Sequence, residues 1–142
     1  MRNKQVIPGI IITVMLLFLI SCEKEKPLSE AIIGKWEVVS MQVITYENNV
    51  KKAEAIVYLE ADEMKYQFID GGSGIFWDEG DDYLFSWTLS GIQVTIGDLY
   101  AEDLMVNASV DNDILTWTYK ETDPQLPNRT YEYVMTAKRI SK

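Results

Sequence analysis

The chain has 142 residues, 22 acidic against 13 basic side chains, a net charge of −9, no histidine and a single cysteine. Without histidine there is no imidazole base, no Ser-His-Asp triad and no His-ligated metal, and one cysteine cannot build a zinc site. The acidic balance repels nucleic acid and anionic headgroups, so no nucleic-acid partner is expected.

The chain opens on a basic start, Arg2 and Lys4, followed by an apolar run from Val6 to Ile20 and small Ser21. These are the parts of a secretory signal. About 15 apolar residues fall short of the ~20 that a membrane-spanning helix needs. The run ends in Leu19-Ile20-Ser21-Cys22, which resembles the lipobox of bacterial lipoproteins. The resemblance implies cleavage after Ser21, a thioether-linked diacylglycerol on Cys22 and acylation of the new amine. Each buried methylene contributes ~0.8 kcal/mol, so two or three acyl chains hold a domain stably. The expected partner at this end is a membrane, through lipid on Cys22, and the expected location is the outer membrane, on its periplasmic face or at the cell surface.

Removing residues 1–21 leaves 121 residues, enough for one core, with 22 acidic against 11 basic side chains once Arg2 and Lys4 are gone. The expected division is a signal over 1–21, a lipidated tether over 22–30 and one domain over 31–142. Glu23-Lys24-Glu25-Lys26-Pro27 is charged and ends in proline, so it reads as a flexible tether. Acidic residues just after the cysteine resemble surface-export signals of Bacteroidetes lipoproteins, although two lysines interrupt them here.

Ser29 is expected to cap a helical turn over residues 30–33. An extended stretch follows over 36–46. Residues 55–59 read either as an extra strand or as a helical turn within a long connection. Further strands are expected over 64–70, 74–77, 83–89, 92–96, 104–110, 114–121 and 129–140, separated by turn signals such as Gly71-Gly72 and Ser90-Gly91. The acidic run Asp78-Glu79-Gly80-Asp81-Asp82 misses the spacing of an EF-hand loop and reads as a solvated turn, so no metal is expected.

Alternation assigns inward faces. Phe85, Trp87 and Leu89 share one, as do Ile92, Val94 and Ile96; Leu115, Trp117 and Tyr119 form another. On the last strand Tyr131, Tyr133, Met135 and Ala137 share a face, with Arg129 and Arg139 at its two ends. The expected fold class is all-β, an antiparallel up-and-down barrel of about eight strands, whose closure removes exposed edges. Long and short connections alternate, which gathers the long loops at one mouth. The tether then sits at the tight-turn end, with the mouth facing away from the membrane.

Three segments carry a further resemblance: Ile33-Gly34-Lys35-Trp36-Glu37-Val38-Val39-Ser40, Phe85-Ser86-Trp87-Thr88-Leu89-Ser90-Gly91 and Ala137-Lys138-Arg139-Ile140. Together they resemble the small lipocalin-like domains of Bacteroidetes lipoproteins. The resemblance implies that Arg139 stacks on Trp36 at the closed end, in a structural role. Arg129-Thr130-Tyr131 resembles the Arg-x-Tyr with which fatty-acid-binding proteins hold a carboxylate. Trp87, Trp117, Tyr119 and Tyr133 either line a cavity or fill the core, since a barrel this narrow holds one small ligand or none. With Arg129 and Tyr131 they are the candidate ligand-binding residues.

No pattern forces two carboxylates into one cavity, so neither an enzyme nor a cofactor is expected. The expected function is a membrane-anchored binding module for a small apolar or amphipathic ligand at the open barrel end. The alternative is a structural or protein-binding envelope lipoprotein with a filled core, whose partner is another envelope protein.

Overall fold

The computed structural model describes residues 25–142; the signal segment, Cys22 and the first tether residues lie outside that range. One helical turn, α1 (Leu28–Ala31), precedes nine strands. These are β1 (Gly34–Glu47), β2 (Val50–Tyr58), β3 (Met64–Ile69), β4 (Ser73–Asp78), β5 (Asp81–Ser90), β6 (Gln93–Gly97), β7 (Leu104–Asp111), β8 (Ile114–Thr122) and β9 (Arg129–Ser141). β1 and β3 to β9 form a closed eight-stranded antiparallel up-and-down barrel, sealed by β1 pairing with β9 along almost its whole length.

β1 serves two neighbours on its other edge. Its first four residues, Gly34 to Glu37, pair with β3, and its outer part, Ser40 to Glu47, pairs with β2. The stretch 55–59, open between strand and helical turn from sequence, is thus mostly strand. β2 is the returning arm of a hairpin whose turn, Asn48-Asn49, has φ of 51° and 63°, the left-handed pair that suits a tight hairpin. All nine β2 residues are exposed. Lys51 and Lys52 place charge along this strand, a common guard against unwanted pairing.

The β3–β4, β5–β6 and β7–β8 turns lie at one end, where α1 also packs; the mouth end holds the long 98–103 and 123–128 loops but also two tight turns, Asn48-Asn49 and Glu79-Gly80, because strand pairing runs up to them. There Arg139 donates to the carbonyls of Ile33 (2.7 Å) and Ala31 (2.6 Å), and through Nε to Asp113 (3.1 Å). Its Cζ sits 4.1 Å from the centroid of the Trp36 ring, and Trp36 donates its indole N–H to the Ile32 carbonyl at 2.8 Å. Gly34, at φ +131°, makes room: a Cβ there would lie 2.7 Å from both Arg139 Nη1 and the Ser141 carbonyl oxygen.

The lower barrel is filled. Tyr66, Phe68, Phe76, Phe85, Trp87 and Trp117 are all buried, and several meet edge to face, Phe68 with Trp87 at 5.5 Å and Tyr66 with Trp117 at 4.6 Å. Such geometry contributes ~0.5–1.5 kcal/mol per pair beyond area burial. Gly74 is the seat of the Phe85 ring, three of whose carbons would lie 2.2–2.6 Å from an added Cβ.

Three local expectations change. Ser29 caps nothing: Pro27 holds the N-cap position, with no side-chain hydrogen bond, and Ser29 lies within the turn. Ile92 belongs to the β5–β6 turn and is 64% exposed, because the tight turn lifts it out of the alternation that buries Val94 and Ile96. The acidic connection shrinks to Glu79-Gly80, both at positive φ, since Asp78 pairs with Asp81 and the strands run up to the turn.

Candidate functional site: a cavity at the barrel mouth

Strand length makes the site. β1 and β9, at 14 and 13 residues, are the longest strands, and with β2 and β8 paired on either side of them they form a curved wall standing above the filled base. Register fixes what this wall shows inward. Met41 pairs with Met135 and Val43 with Tyr133; Trp117 pairs with Met135 and Tyr119 with Tyr133. The next rung joins Thr45, Tyr131 and Glu121, and the last inward pair is Glu47 with Arg129.

Facing the wall is the β6–β7 loop, residues 98–103, with Asp98 at φ +66°. Between wall and loop lies a cavity of about 560 Å³. Tyr66 and Trp117 form its floor. Tyr119, Tyr133, Met41 and Met135 line its side, and Tyr100 to Leu104 lie across from them.

Hydrogen bonds hold the aromatic lining. The hydroxyls of Tyr66 and Tyr100 are 3.1 Å apart, tying the loop to the floor. Burial pushes the Tyr66 phenol well above the ordinary tyrosine range, with Tyr100 adding to the effect. Tyr133 donates to Glu121 Oε1 at 2.7 Å, and this bond to a carboxylate pushes its pKa up to about 12. The rings of Tyr119 and Tyr133 stack at 4.6 Å with planes 10° apart, and partial burial raises the Tyr119 pKa.

The sequence candidates are brought together in part. Trp117, Tyr119 and Tyr133 line the cavity. Trp87 does not: it lies near the closed end, its indole N–H shared between the carbonyls of Ile69 (3.1 Å) and Ser73 (2.9 Å). Alternation says which way a side chain points but not how high on the barrel it sits. Arg129 and Tyr131 stand farther out on the wall, beyond the lining. The Arg129 guanidinium is bound to Glu47, with Nε 3.1 Å from Oε1, and Tyr131 donates to Asp123 Oδ2 at 3.1 Å. Both groups that would grip a carboxylate are satisfied within the chain.

Met41, Tyr66 and Tyr100 are lining residues that sequence reasoning missed. Met41 and Tyr66 alternate correctly within their strands and were open to discovery. Tyr100 sits in an irregular loop with no period to read.

Among the described residues no group of three or more His, Cys, Asp or Glu side chains is arranged to hold a metal ion. The cavity lining offers apolar surface, aromatic ring faces and, at the rim, acidic side chains. No protein-family model, no curated protein and no solved structure matches this chain.

Proposed function

We propose that this chain is a lipocalin-like lipoprotein, anchored in the outer membrane through lipid on Cys22, that binds a small apolar or amphipathic molecule in the barrel mouth and does no chemistry on it. The observation that carries the reading is the cavity of about 560 Å³ above a solid aromatic base. Its size lies within the ~300–1,000 Å³ typical of small-molecule sites, and its apolar walls with few polar groups match their usual make-up. The descent of α1 into β1 at the closed end supports a mouth that faces away from the anchor.

Native mass spectrometry of residues 23–142, which contain every described strand and the whole core, tests this reading. The expected result is a retained small molecule, or uptake of added decanol, in the parent protein and in neither form for Val43→Trp, which fills the cavity. No adduct and no uptake by the parent would overturn it.

A second reading, a protein-binding envelope lipoprotein, draws support from β2, where Val50, Ile56, Val57 and Tyr58 are all exposed. A stoichiometric envelope protein recovered by pull-down, lost on Val57→Asp, with no small molecule retained, would favour it.

A further inference from the structure

We propose that the molecule taken by this cavity is a cation, an alkylammonium head on an apolar body, held by ring faces and rim carboxylates. The inference rests on the binding reading above and narrows its ligand class.

Five aromatic side chains line the cavity: Tyr66, Tyr100, Trp117, Tyr119 and Tyr133. Ring faces carry negative quadrupole density and attract ammonium groups. Tyr133 donates its hydroxyl to Glu121, which leaves its ring richer in electrons, and the stacked Tyr119 extends the same surface. The charged lining residues are Glu102 and Asp103, both exposed on the loop at the rim; the Asp103 carboxylate lies over Gly97 beside Ser86 on the outer face, which leaves Glu102 on the loop and Glu121, one rung farther out on the wall, as the acidic groups at the mouth.

No basic side chain lines the cavity among the described residues. The inner face of the wall does carry Arg129, but four residues beyond Tyr133, or ~13 Å along the strand, and paired to Glu47. Lys120 has the opposite parity from Tyr119 and Glu121. Its Nζ lies 3.7 Å from Glu132 on the outer face and 5.6 Å from the Tyr46 ring centroid. An anionic head would meet carboxylates with no free cation in reach. A neutral one would forgo the attraction of the rings, and a cationic one gains from both.

Three probes of equal chain length separate the cases: decyltrimethylammonium, decanol and decyl sulfate, titrated calorimetrically into residues 23–142 below their micelle concentrations. The cation is expected to bind about tenfold or more tighter than decanol, the scale of one or two desolvated cation–π contacts, with decyl sulfate weakest. The variant Glu102→Gln should cut the cation's advantage over decanol severalfold. Tyr119→Leu should cut it further.

Equal affinity for the three probes, or preference for the sulfate, overturns the cation inference and leaves the binding reading intact. Cation binding that survives in Val43→Trp also overturns it, since that signal comes from the acidic surface. Failure of all three to bind overturns both.

Discussion

Tyr133 is bonded through its hydroxyl to Glu121 at 2.7 Å, a contact that crosses from β9 to the next rung of β8 and holds the tyrosine side chain along the inner wall. It also sets a titration. The folded pKa of Tyr133 is about 12, against ~10 for a free tyrosine. Because the folded value is raised, the neutral phenol's contribution to stability is complete below about pH 10 and is lost as pH rises through 12. Comparing phenolate absorbance between the parent and Tyr133→Phe should isolate one late-titrating group. In Glu121→Gln that group should move back toward 10; no movement would break the assignment.

Arg139 joins α1, the β7–β8 turn and Trp36 with one side chain. Hydrogen bonds to charged groups contribute ~1.5–3 kcal/mol each, shared here with neighbours that relax. Arg139→Ala should cost ~2–4 kcal/mol in urea unfolding, and Arg139→Lys most of that, because an ammonium cannot reproduce the planar fork. Arg129→Lys, at a solvent-screened ion pair, should cost far less than Arg139→Lys. Equal costs at the two arginines would contradict this difference in role.

Gly74 and Phe85 are a matched pair. The backbone at Gly74 is not left-handed, so Gly74→Ala isolates the steric effect of a methyl against the ring. It should cost ~1–3 kcal/mol, the usual range for overpacking. Adding Phe85→Leu should recover part of that loss, and a double-mutant cycle measures the coupling. Strict additivity would show that the ring does not occupy the glycine's space.

Glu37 is buried on β1 with its carboxylate on Lys138 (2.8 Å) and on the Asp62 backbone N–H (3.0 Å), and these hold its pKa below the usual carboxylate range, the Lys138 contact most of all. A lowered folded value means the contribution is complete above the unfolded pKa of ~4.3 and is lost as pH falls through the folded one. Stability of the parent should therefore decline on acidification below that point. Glu37→Gln should be less stable at neutral pH and show a shallower acid slope; an unchanged slope would count against the pair.

The barrel was legible because most of its buried strands keep a period of two, β1 being the exception where Trp36, Glu37 and Val38 are buried in succession beside a register shift. Phe85 and Trp87, Leu115 and Trp117, and Met135 and Ala137 all fall inward as their spacing requires. β2 was hard to read for the opposite reason: it buries none of its nine residues, so nothing selects an alternation, and its register comes from the Asn48-Asn49 turn. Height along the barrel was recoverable from turn length. Trp87 stands three residues before the tight Ser90-Gly91 turn, which assigns it to the closed end, whereas Tyr119 and Tyr133 flank the long 123–128 connection. The roof formed by Tyr100 was not recoverable, since its position depends on the conformation of an irregular loop.

The base excludes ligand and the mouth admits it, and three of the four tryptophans report on the two: Trp36 and Trp87 in the base and Trp117 at the floor of the cavity. The most direct measurement is the indole N–H spectrum of ¹⁵N-labelled residues 23–142 during addition of decyltrimethylammonium. The account predicts that the Trp117 resonance shifts, with the methyl signals of Met41 and Met135, while Trp36 and Trp87 stay fixed. A spectrum in which Trp117 does not move, or in which Trp36 and Trp87 move with it, would contradict a cavity confined to the mouth.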